Sequence, residues 1–262
     1  MDKRMAHNNI FLLLQTNLSN TRIDKYFSLA NNNEDDTIKL YQINLKLCEN
    51  LYIPLNYFEI ILRNYINNRL KKEFLRKFNN EKWWQNNKLF FGTNKNNDDK
   101  ILNAISLIKQ DSKTLNSDNI VSSLMLGFWT SLFNKYNEDN IWKPYLKYIF
   151  KDYTRENLFI ILKEINNLRN KIFHYKCILF DNLIDIYNNI ISLILYMSNN
   201  DLVNYIKNMS NFEEVYNDFT LLGKSISPNK LLMRPHRISN VIIDNKNNLS
   251  SNNIGVLNGQ DS

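Results

Sequence analysis

Arg169, Asn170 and His174, within "NNLRNKIFHYKC" (166–177), are residue types that act on phosphate. The chain has 262 residues and only three histidines, and this one follows an arginine at a spacing of five. A guanidinium grips phosphate through two parallel N–H bonds and stabilises charge that grows on its oxygens. An imidazole, with an ordinary pKa of ~6.5, exchanges protons at neutral pH. The amide of Asn170 can orient either the imidazole or the substrate. In RNA the nucleophile is already present as the 2′-hydroxyl, so this chemistry needs no metal or other cofactor. Removing its proton and neutralising the phosphate would break the strand and leave a 2′,3′-cyclic phosphate. Arginine, lysine and histidine also collect at helix C-termini because free carbonyls and the macrodipole favour them. The string by itself leaves both readings open.

These residues end a strongly periodic helix. Thr154 is a good N-cap and Glu156 lies in the first turn. Leu158, Ile161, Leu162, Ile165, Leu168 and Ile172 then mark one continuous apolar face. Asn170 and His174 are one turn apart on a shared face. Arg169 lies about 100° round from Asn170 but reaches that face with its long side chain, and Lys171 falls on the other side. One histidine does not readily serve as base and acid on opposite sides of one phosphorus. A symmetric homodimer would bring two histidines and two arginines to one cleft.

Helical periodicity runs through most of the remaining chain. Helices are expected at 21–30, from Asp35 or Asp36 to Leu51, and from Pro54, a residue suited to a first turn, toward Phe78. A loop with Trp83, Trp84 and Gly92 follows. Further helices are expected with Asp98 and Asp99 in the first turn, from near Asp118 through "LMLGFWTSLFNKY", at 179–197 and at 201–208. The texture turns to Ser, Asn, Pro and Gly near residue 224. The expected organisation is therefore an all-α domain over 1–223 and a largely disordered tail over 224–262.

Composition agrees with that class. Apolar residues make up 44 % and aromatics 13 %, too many for a disordered chain. Five glycines and four prolines are too few for the tight turns of a strand-rich fold. The net charge of +7 favours a polyanionic partner, nucleic acid before an acidic membrane surface. Cys48 and Cys177 have no metal-ligand spacing and read as reduced core thiols. No stretch reaches the ~18 apolar residues of a membrane span, and "IFLLL" at 10–14 is too short for a signal peptide, so the expected location is cytoplasmic.

Three segments, in order, are similar to the Abi-like family of abortive-infection proteins within the HEPN superfamily. They are "FEIILRNYINNRL" (58–70), "LMLGFWTSLFNKY" (124–136) and "LRNKIFHYKCI" (168–178), and the likeness extends over roughly residues 21–200. The resemblance implies an all-α HEPN-like fold and a homodimer with a composite cleft. It implies a metal-independent ribonuclease acting as a toxin or in anti-phage defence, restrained by an antitoxin or triggered by a phage component. It would make Arg169 the phosphate-binding arginine, His174 the catalytic histidine and Asn170 their polar companion. The family often continues His-His-Glu-Pro, whereas this chain has His174-Tyr175-Lys176-Cys177. Tyr175 is adjacent to the histidine, so the tyrosine modification of some relatives does not carry over.

Glu59, Arg63 and Asn64 are candidate auxiliary groups, as are Lys171 and Tyr175. For Glu59 and Arg63, one turn apart, an exposed helical ion pair is the alternative. Trp83 and Trp84 would either stack bases or pack a loop. "RLKKEFLRKF" (69–78) would either follow an RNA backbone or face solvent. Gly127 is expected to permit close helix packing, and His7 and His236 have no partners visible in sequence. The function expected is RNA cleavage. A non-catalytic helical module that binds RNA or a protein is the alternative.

Overall fold

The computed structural model describes residues 3–85 and 95–227, and every regular element among them is helical. The order is α1 (Lys3–Leu18), α2 (Asn20–Leu29), α3 (Glu34–Phe78), a 3-10 turn (Trp83–Gln85), α4 (Lys95–Gln110), α5 (Ser117–Ser123) and α6 (Leu126–Ser131). A second 3-10 turn (Lys135–Asn137), a π-helical segment (Glu138–Leu146), α7 (Arg155–Phe173), α8 (Leu183–Met197), α9 (Asn200–Met209) and α10 (Phe212–Ile226) follow. His236 and Gly92 lie outside the described residues. α10 ends at Ile226 and Ser227 is buried, while the tail expected over 224–262 lies, from 228 on, outside the described residues.

The 45-residue α3 is the axis of the fold, about 68 Å long at 1.5 Å per residue. It packs against α1, α2, α6, α7, α8, α9, α10 and the π-helical segment. Leu47, Leu51, Leu55, Phe58, Leu62, Ile66, Leu70 and Phe74 recur every three or four residues and are all buried. Its N-cap is Asn33, whose Oδ1 accepts from the Asp36 N–H at 2.9 Å; Asp35 and Asp36 sit in the first turn instead of capping it. α1, which the periodicity reading did not assign, packs Phe11 with Ile23 and Ile38 in a small separate core.

Two expectations fail for identifiable reasons. Pro54 does not begin a helix; α3 passes through it. A proline removes one N–H and leaves the carbonyl four residues earlier without its donor. That carbonyl belongs to Asn50, and the Ser210 hydroxyl donates to it at 2.8 Å. The Asn50 side chain also accepts from the Asn211 N–H at 2.9 Å, so the α9–α10 turn closes the gap.

The single buried helix expected from Asp118 is instead broken at Leu124–Met125, both extended. The break is held from outside and inside. Leu126 N–H donates to Glu59 Oε1 at 2.9 Å, and Trp129 Nε1 donates to the Leu124 carbonyl at 2.9 Å.

Candidate functional site

α7 begins as expected, with Thr154 Oγ1 accepting from the Asn157 N–H at 3.2 Å. It runs antiparallel to α3, since Tyr52 meets Phe173 while Glu59, farther along α3, meets Arg169, earlier on α7. Arg169 Nε donates to Glu59 Oε2 at 3.2 Å, and both side chains are over four-fifths buried. The guanidinium carbon lies 4.1 Å from the centre of the Phe173 ring. Nη1 and Nη2 make no hydrogen bond among the described residues, so the fork of the guanidinium is unused.

The Glu59 carboxylate therefore serves two elements. One oxygen holds Arg169 and the other holds the first N–H of α6. The exposed ion pair with Arg63 suggested by sequence spacing does not form. Glu59 is a positioning group for the arginine instead.

His174 is the C-cap of α7, and its imidazole is exposed with no hydrogen bond or ion pair among the described residues. The helix closes in a Schellman motif. Lys176 N–H donates to the Lys171 carbonyl at 2.8 Å and Tyr175 N–H to the Ile172 carbonyl at 3.0 Å. This closure puts Tyr175 in the left-handed region at φ 55°, where glycine is the usual occupant. The strain of a tyrosine there is held by Arg22 of α2, whose Nη1 donates to the Tyr175 carbonyl at 2.5 Å.

The segment beyond is pinned as well. Lys171 Nζ meets Asp181 Oδ1 at 2.5 Å, and the Ile178 N–H donates to Asn44 Oδ1 at 2.9 Å. Lys171 is thus a structural tether. Asn170 and Asn64 are exposed, and no hydrogen bond joins the Asn170 side chain to His174. Phe173, Tyr175, Tyr52 and Met125 are exposed around this helix end.

The remaining candidates resolve into packing. Trp83 and Trp84 are buried and donate to Asn67 Oδ1 at 2.9 Å and Ser117 Oγ at 3.3 Å, so neither offers a face to a base. Within the basic stretch, Arg69 and Arg76 both pair with Glu73, at 3.2 and 2.8 Å. The Arg76 hydrogen bond, with Arg69 and Lys77 nearby, holds the Glu73 carboxyl below its ordinary range. A Cβ on Gly127 would meet only the Asn166 amide at 3.6 and 3.8 Å, an ordinary contact, so close packing does not require glycine there. Cys48 and Cys177 are free, as expected, and burial pushes both thiols up, Cys48 to about 12.

The chain matches no family model, no curated protein and no solved structure. Among the described residues no three His, Cys, Asp or Glu side chains gather as a metal site, and no helix is long and apolar enough to cross a membrane. Glu59 was a candidate auxiliary group by sequence and does reach Arg169, but spacing could not name its partners, Arg169 and Leu126, because both are remote in the chain.

Proposed function

We propose that this chain is a metal-independent RNA endonuclease of the Abi-like, HEPN type, working as a symmetric homodimer. One observation carries the reading. Arg169 is locked through Nε and its ring-stacked face, leaving Nη1 and Nη2 for a phosphate, near the C-terminal end of a helix capped by the exposed His174.

The Nη edge of Arg169 binds the non-bridging oxygens of the scissile phosphate and stabilises the charge of the five-coordinate phosphorus. His174 of one copy takes the proton of the 2′-hydroxyl as its oxygen bonds to phosphorus. The bond from phosphorus to the 5′-oxygen breaks, and His174 of the second copy gives that oxygen a proton. The products are a 2′,3′-cyclic phosphate and a 5′-hydroxyl. Pre-fixing the guanidinium through Glu59 lowers the ordering cost at the moment of reaction. Apolar side chains exposed around the helix end, Phe173 and Met125 among them, suit burial against a second copy. The biological setting that goes with this reading is a toxin or abortive-infection effector.

The test is cleavage of RNA and of DNA of the same sequence in EDTA, followed by analysis of the new ends. RNA cut to cyclic phosphates and DNA left whole is the expected result. Cleavage of both substrates overturns the 2′-hydroxyl mechanism. Cleavage of neither, with RNA bound, replaces it with a binding module.

A further inference from the structure

Arg63 is a half-buried cation without a counter-ion. Its Nε is buried and has no hydrogen-bond partner, and the side chain makes no ion pair among the described residues. Its position on α3 is fixed by its neighbours at four-residue spacing. Glu59 holds Leu126 at the start of α6, and Asn67 holds the Trp83 indole. Arg63 lies between them, on the stripe of α3 that faces α6, about 6 Å along the axis from Glu59.

The elements next to it carry further positive charge. Lys100 of α4 donates to the Gly127 carbonyl in α6 at 3.4 Å, and Arg169 lies across from Glu59 on α7. The carboxylate within reach, Glu59, is already committed to Arg169 and Leu126. A buried Nε without an acceptor is costly, and an anion arriving from outside would offset that cost. Arg63 follows Glu59, the residue that holds Arg169, by one turn of α3, and two guanidiniums in such a row suit adjacent phosphates of a single strand better than a lone phosphate.

We propose that Arg63 binds the phosphate next to the scissile one, forming with Arg169 a two-phosphate clamp for single-stranded RNA. This rests on the ribonuclease reading above. Arg63 then sets affinity and the register of the strand over His174, and takes no part in proton transfer.

The experiment uses the full chain carrying His174→Ala, so that RNA is bound and not cut, with and without Arg63→Gln. Anisotropy of a short unstructured RNA is followed across a salt series, and thermal unfolding is followed with and without sulfate. Expected with Arg63→Gln are about tenfold weaker RNA binding and a log–log salt slope shallower by ~0.7, the value of one single-strand phosphate contact. The melting temperature without sulfate should be equal or higher, because an unpaired cation is gone, and the stabilisation by sulfate seen in the parent should disappear. An unchanged slope together with a lower melting temperature overturns the proposal and makes Arg63 structural. If the parent binds no RNA, loss of the sulfate effect in Arg63→Gln keeps the anion site and rejects the RNA reading, whereas an unaltered sulfate effect rejects the site. Should Arg63→Gln fail to fold, Arg63→Lys decides. It keeps the charge but not the fork, so the slope should hold while affinity falls.

Discussion

Arg169 Nε and Glu59 Oε2 meet at 3.2 Å although 110 positions separate them in the chain. This contact turns a mobile surface arginine into a fixed one and ties it to the start of α6 through the second Glu59 oxygen. Removing the carboxylate therefore has two consequences that a substitution series separates. Glu59→Ala should cost about 2–3 kcal/mol in urea denaturation, since it strands a largely buried guanidinium and an N–H together. Glu59→Gln keeps an acceptor for Leu126 and should cost less than half of that. Both should slow RNA cleavage, by up to ~10²-fold, through loss of the fixed guanidinium. Full activity in a folded Glu59→Gln protein would show that Arg169 needs no fixing.

His174 carries no structural load that its exposed imidazole could supply. His174→Ala should leave the urea midpoint within the equivalent of ~0.5 kcal/mol while lowering cleavage by about 10²–10⁴. A variant that cuts RNA at the parent rate removes His174 from the mechanism.

Pro54 and Ser210 form a compensating pair through the Asn50 carbonyl. Ser210→Ala should destabilise by about 1 kcal/mol because that half-buried acceptor loses its donor. Pro54→Ala restores the helical N–H, so in that background the same serine substitution should cost clearly less. Equal costs in the two backgrounds, read from a double-mutant cycle, would mean that the hydroxyl acts only through its contact with the Phe212 N–H.

Alkaline conditions should weaken the fold through its buried weak acids. Burial pushes Cys48 up to about 12, and Tyr153, Tyr187 and Tyr196 also to about 12. The unfolded thiol ionises near ~8.5 and the unfolded phenols near ~10. Above those values the unfolded chain holds fewer protons than the folded one, so unfolding becomes easier as pH rises. The contribution is complete below ~8.5 and is lost progressively toward 12. A melting temperature that falls across this window is expected, as is no reaction of either thiol with a disulfide reagent at about pH 8 until denaturant is added. Rapid labelling of the native protein would contradict the burial of Cys48 and Cys177.

The helix ending at His174 was legible in the sequence because its signals are local. Thr154 caps it, the apolar face repeats with the helical period, and the first and last turns carry the charges that the dipole favours. The same local rules place α2, α8 and α9 and the apolar face of α3. They determine an all-α chain with a basic balance, and they bring Arg169, Asn170 and His174 to one helix end. They mislead at Pro54 and at Leu124–Met125. In the first case a break was expected where the Ser210 hydroxyl supplies a missing donor from 156 positions away. In the second, continuity was expected where Glu59 and Trp129 hold the chain open. Tertiary structure alone decided that Glu59 serves Arg169 and not Arg63, that Lys171 is consumed by Asp181, and that Arg63 is left without an anion. A charged side chain selects its partner by distance and desolvation in the folded state, and residue spacing along one helix carries no information about the helix that packs against it.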